Sequence, residues 1–168
     1  MEPDRLGDNV NQTTFWGVGP SIGATAAIHF AVMLVIDRMT APMFQIERMS
    51  FAIALTIGVA LITLGIILYL LSLFALLKAR RDRQLITTGP YRLIRHPLYA
   101  IGLFFVCPGF CLFFRSLLVL TTPLAMAAAF WFFIRREEKV LLENFGKAYE
   151  EYRRKTPALV PFTKRADH

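Results

Sequence analysis

Four stretches of this chain carry almost no charge, and their lengths decide what it can become. Residues 15–36 and 51–77 are apolar runs of about the length that crosses the hydrocarbon of a bilayer, which takes roughly 20 residues as a helix. Two shorter blocks follow: residues 99–114, interrupted by Pro108-Gly109, and residues 117–134, which carry Pro123. A helix of a soluble protein would show charged residues on one face, and these blocks offer none. Lipid gives backbone N–H and C=O groups no partner, so such runs are satisfied as helices. The expected fold class is an all-α integral membrane protein with four transmembrane helices. The third and fourth form a helical hairpin turning at Arg115-Ser116, and an amphipathic cytoplasmic helix follows them.

The formal charge is +7, with 55% hydrophobic residues and a mean hydropathy of +0.48. Where the charge sits matters more than its sum. Lys78, Arg80, Arg81, Arg83, Arg92 and Arg95 share one short loop, and most other cations follow Ile134. Positive charge bordering apolar blocks marks the cytoplasmic side and attracts anionic headgroups. The expected setting is therefore an integral, multi-pass membrane protein, with both termini and the active site cytoplasmic. Membrane lipids are expected partners and nucleic acid is not. Residues 1–14 form a polar, net acidic arm without the basic start of a cleavable signal peptide. Cys107 and Cys111 lie four apart in an apolar run without further ligands, which reads as small buried residues and no metal. His29, inside the first block, reads as a neutral histidine hydrogen-bonded between helices. Gly58 and Gly65, seven apart on one helical face, permit close helix approach.

The chain divides into the arm 1–14, the first two spans within 15–77, and a core over 78–168. In that core the stretch from Thr88 to Gly102 joins the basic loop to an apolar block. Pro97 suits the first turn of a helix, which puts His96 at the helix mouth beside free N–H groups. The residues 83–99 and the run Arg135-Arg136-Glu137-Glu138 fall at the same membrane boundary, because the hairpin between them returns the chain. Adjacent carboxylates at a membrane edge repel and resist desolvation. They point either to a cationic guest or fixed arginine partners, or to the start of a surface helix, where negative charge suits the dipole. Leu141, Phe145, Ala148, Tyr149 and Tyr152 then recur at helical spacing, Gly146 breaks or bends the helix, and Pro157 ends it.

Gly89-Pro90-Tyr91, then Arg95-His96-Pro97-Leu98-Tyr99 with Gly102, and after a hairpin Glu137-Glu138, Phe145-Gly146, Tyr149, Tyr152 and Val160-Pro161-Phe162 make an ordered set. It resembles the isoprenylcysteine carboxyl methyltransferase family, which is itself similar to the membrane phospholipid methyltransferases. The resemblance implies an S-adenosylmethionine-dependent enzyme with a cofactor site unlike the soluble dinucleotide fold. This chain's lack of a glycine-rich strand-to-helix turn agrees with that. By the family pattern Arg83, Gln84, Leu85 and Ile86 line the adenosine and Tyr91 closes over the cofactor. His96, Pro97, Leu98, Tyr99 and Gly102 hold its methionine end, and Glu137, backed by Glu138, binds its amino group. Arg95 and Arg135 are the cations assigned to catalysis, and Phe133 and Arg135 to substrate binding.

The chemistry of the residues fits such a ligand. A sulfonium, an ammonium and a carboxylate call for aromatic faces, an anion and a donor, which Tyr91 or Tyr99, Glu137 and His96 supply. One position departs from the family pattern. An arginine that would orient a substrate carboxylate one turn before the glutamate is Phe133 here, which favours a lipophilic small-molecule or lipid-modified acceptor entering from the bilayer. The competing readings are a phospholipid or small-amine N-methyltransferase, a transporter or scaffold without cofactor, and a membrane reductase, whose many extra spans this chain lacks.

Overall fold

The computed structural model describes residues 17–82 and 84–161. The expectations for the arm 1–14, Phe15, Trp16, Arg83 and Phe162 lie outside them. Every regular element among the described residues is helical. Helix α1 spans Gly19–Thr40 and begins with proline in its first turn. Helix α2 spans Phe51–Arg81; the Ser50 hydroxyl accepts its Ile53 N–H, and Lys78, Arg80 and Arg81 sit in its last turn, where the helix dipole favours cations. At 1.5 Å per residue these helices run about 33 and 46 Å, long enough for the roughly 30 Å of hydrocarbon. Their most apolar windows have mean hydropathies of 1.7 and 2.7, yet only 6% and 17% of those residues are buried. The helix of a soluble core would hide such a surface; these turn it outward, as a bilayer requires.

Helix α3, Pro97–Leu112, changes pitch on the way. Its α-helical start gives way to a π-helical turn over Gly102–Val106, where the Cys107 N–H reaches five residues back to the Gly102 carbonyl. Proline inside an α-helix clashes with the carbonyl four residues before it. The widened turn falls immediately ahead of Pro108 and opens the coil there, so the helix continues to Leu112. Gly58 of α2 meets Gly109 of α3 backbone to backbone. A Cβ at Gly58 would stand 2.6 Å from the Gly109 carbonyl, and one at Gly109 would stand 2.8 Å from that of Gly58. A Cβ at Gly65 would stand 2.9 Å from Val106 Cγ2 and 3.0 Å from Phe105 Cβ, so both glycines serve the close approach their spacing predicts.

Helix α4, Thr122–Lys155, joins what the sequence suggests as two elements, a last span and a surface helix. Nothing from Ile134 to Lys139 breaks a helix, since Arg, Glu and Lys all favour it. The interruption comes at Gly146, whose backbone leaves helical geometry with φ 51°. Helix α1 lies along α4, with His29 Nδ1 3.4 Å from Thr122 Oγ1, the interhelical bond expected for that histidine. Ile22, Ala100, Leu103, Phe130, Ile134 and Leu159 form the core between α1, α3 and α4.

At the end of the bundle where α1 stops, the α1–α2 loop is sewn to the α3–α4 turn. The Ile46 N–H donates to the Arg115 carbonyl at 2.7 Å and the Leu117 N–H to the Phe44 carbonyl at 3.0 Å. Asp37, 2% exposed, accepts from the Ser116 hydroxyl and from the Gln45 amide. Arg115, which the sequence suggests snorkels outward, instead turns its guanidinium to the Ile46 carbonyl at 3.3 Å.

Candidate active site

The opposite end of the bundle holds the polar centre. After α2, Gly89 takes φ 59° and starts a short 3-10 helix, Gly89–Arg92. This turn buries Tyr91, whose carbonyl accepts the Tyr152 hydroxyl at 2.6 Å. His96 is the residue before α3, and Pro97 occupies the first turn, as the sequence leads one to expect. The returning chain fastens this turn by its main chain. Arg95 N–H donates to the Pro157 carbonyl at 2.8 Å and His96 N–H to that of Ala158 at 3.1 Å. The imidazole is buried, with the Phe130 ring centred 5.7 Å away, and the same phenylalanine lies 5.7 Å from the Tyr99 ring.

Glu137 and Glu138 approach that imidazole from α4, about 100° apart around the helix, and their surroundings differ. Glu138 Oε1 takes Arg95 Nη2 at 2.8 Å and lies 3.4 Å from His96 Nε2. Burial alone would raise its pKa; the histidine bond and the Arg95 charge outweigh burial and hold its carboxyl below the ordinary value of 4.5. Arg95 also donates to the Arg153 carbonyl at 3.3 Å. Glu137 Oε2 receives the Tyr99 hydroxyl at 2.7 Å and the Val18 N–H at 3.2 Å. Its Oε1 lies 3.8 Å from His96 Nδ1. Among the described residues no arginine or lysine forms an ion pair with Glu137, so its negative charge is met mainly by neutral donors. Such a site suits a cationic guest, because an ammonium makes a stronger, charge-assisted bond.

The site thus draws together Arg95, His96, Tyr99, Glu137 and Glu138, with buried Pro97 and half-buried Leu98 behind them. Gly102 lies one turn further, where a Cβ would stand 3.1 Å from Met126 Cε. Gln84, Leu85 and Ile86 leave α2 without regular structure, the Gln84 N–H donating to the Ala79 carbonyl at 3.0 Å. Arg135 is exposed and is not among the groups that meet the two carboxylates. Phe133 packs half-buried against the core, with the Arg136 guanidinium 6.0 Å from its ring. A cavity of about 420 Å³ opens on another flank, lined by Thr87, Arg92, Tyr152 and Lys155. Three parts of the site escape a reading of the sequence: the Val18 N–H, the Phe130 ring, and the Pro157-Ala158 carbonyls. The only signal for the first is the crowding of Gly17, Gly19 and Pro20 at the head of α1.

The fold and the site define an all-helical protein with two helices long and apolar enough to cross a membrane and a cluster of arginine, histidine, tyrosine and paired glutamates at one end of them. The chain belongs to the phospholipid methyltransferase family, whose model matches residues 48–148. It is 37% identical over 107 residues to a cobalt-zinc-cadmium resistance protein of Cupriavidus metallidurans, covering 62% of this chain and 46% of that one. It is 34% identical over 88 residues to the protein-S-isoprenylcysteine O-methyltransferase of Schizosaccharomyces pombe, covering 50% and 36%. With the B form of that enzyme from Arabidopsis thaliana it shares 35% over 97 residues, covering 52% and 45%. The matched stretch spans less than half the length of these relatives.

Proposed function

We propose that this chain is an integral membrane methyltransferase that passes a methyl group from S-adenosylmethionine to a lipophilic acceptor, in the manner of the isoprenylcysteine methyltransferases it resembles. The observation that carries the reading is Glu137. Its carboxylate sits beside a buried histidine among tyrosines and is met by uncharged donors, in a chain of a methyltransferase family. Four spans, with α3 and the first half of α4 as the last two, put both termini and this site on the cytoplasmic side, where Lys78, Arg80 and Arg81 also lie. The part of α4 beyond Ile134 then rests on that face, and residues 78–168 form the catalytic core.

S-adenosylmethionine supplies a methyl group activated on a sulfonium. Glu137 accepts the ammonium, and the faces of Tyr91 and Tyr99 attract the sulfonium, an effect of about 0.5–2 kcal/mol. His96, Pro97, Leu98 and Gly102 shape the methionine end, while Arg83, Gln84, Leu85 and Ile86 line the adenosine. Glu138 and Arg95 act as a pair: each satisfies the other, and together they set the imidazole. A displacement at a methyl group asks mainly for alignment and exclusion of water, which buried aromatic walls provide. Phe133, apolar and half-buried, favours a hydrophobic acceptor. Arg135 is assigned to the acceptor's polar end, where it lies exposed on the same helix.

Titration of S-adenosylhomocysteine into detergent-purified protein tests the reading. Micromolar binding is expected, weakened about tenfold or more, or 1.4 kcal/mol, by Glu137→Ala and by His96→Ala. A well-folded wild-type protein that binds nothing would sink it and bring forward a transporter or scaffold. Methyl transfer to a farnesylcysteine analogue against phosphatidylethanolamine then separates a carboxylate acceptor from an amine.

A further inference from the structure

The head of α1 lies outside the stretch that the family model matches, residues 48–148, yet it touches the centre of the site. Val18 N–H donates to Glu137 Oε2 at 3.2 Å, and the Tyr99 hydroxyl donates to the same oxygen at 2.7 Å. Gly17 packs directly on that oxygen with φ 52°, a backbone setting that disfavours side chains. A Cβ there would stand 2.6 Å from Glu137 Oε2, 3.1 Å from the Tyr99 oxygen and 3.3 Å from Glu137 Cδ. Gly19, two residues on, is different: a Cβ there meets only Tyr99 ring and hydroxyl atoms at 3.7 and 3.8 Å, ordinary contact.

We infer that Gly17 and Val18 position Glu137 for the ligand's ammonium, an inference that rests on the methyltransferase reading. A glutamate side chain rotates freely unless something fixes its plane. Two donors converging on Oε2 do so, and they leave the lone pairs of Oε1 for a charged donor. Gly17 is the residue that lets the chain come close enough for the Val18 N–H to reach. The first helix is therefore part of the cofactor site through its backbone, and Gly17 is a positioning residue that touches no ligand.

The test compares two ligands on the full chain in detergent: S-adenosylhomocysteine and its deaminated analogue, which lacks the ammonium. Gly17→Ala should weaken the intact ligand about tenfold and leave the analogue unchanged, while Gly19→Ala alters neither. Equal loss for both ligands, or no loss, overturns the inference, because a general packing defect does not single out the ammonium. Hydrogen exchange at the Val18 amide, which needs no ligand, tests the contact itself. It should be about tenfold faster in Glu137→Ala than in wild type; an unchanged rate overturns the positioning. Absence of any binding by wild type would instead strike at the methyltransferase reading.

Discussion

Two neighbouring glutamates with the same side chain have been given different work by what surrounds them. Glu138 is committed to Arg95 and His96, and its acid is strengthened by them. A carboxyl whose folded pKa is depressed adds stability at pH above its unfolded value, and that stability is lost as pH falls through the folded value. The thermal midpoint should therefore fall as pH drops below about 4.5. Glu138→Gln should cost about 1–3 kcal/mol at neutral pH by stranding buried donors and should flatten that acid limb, both readable by thermal melts across pH. The pair is legible in the sequence as a pair. Their different roles come from the resemblance alone; the residues that make their surroundings differ, Arg95 beside Glu138 and the Val18 N–H on Glu137, are brought in by segments far away along the chain.

Among the elements, the contact of α2 with α3 is set by absence of side chains. Gly58 and Gly109 face each other carbonyl to Cα, so Gly58→Val should drive the helices apart and cost about 1–3 kcal/mol or more. Gly23→Val on α1, where nothing lies within 4 Å, should leave the melting temperature in place. The spacing of the α2 glycines announces this contact. The π turn ahead of Pro108 is not announced, since a proline in an apolar block predicts a kink and the structure relieves it by a change of pitch. The continuity of α4 is hidden for a related reason. The composition changes at Arg135 from apolar to charged, but composition reports the solvent a helix meets, and the backbone need not break where the solvent changes.

The molecule as a whole has two polar ends joined by apolar helices. Block lengths convey that much, and the charge between Lys78 and Arg95 marks the end where Arg95, His96, Glu137 and Glu138 meet. The other end is tied by Asp37, which sits at the edge of the first apolar block and reads as part of a loop until its burial is seen. Asp37→Ala strands the Ser116 hydroxyl and the Gln45 amide and should lower stability by about 1–3 kcal/mol. Because the bundle separates that end from Glu137, affinity for S-adenosylhomocysteine should be retained, measurable by titration beside a thermal melt.

The main-chain bonds from Arg95 and His96 to Pro157 and Ala158 also set an order of events. A ribosome delivers the histidine turn first, then α3 and α4, and only afterwards the two carbonyls that fasten it. The imidazole thus meets Glu138 of α4 before the main chain of its own turn is fastened, and the centre is completed last. A nascent chain carrying every helix but lacking that final clasp would hold His96 by its ring alone, with the main chain of the turn left open.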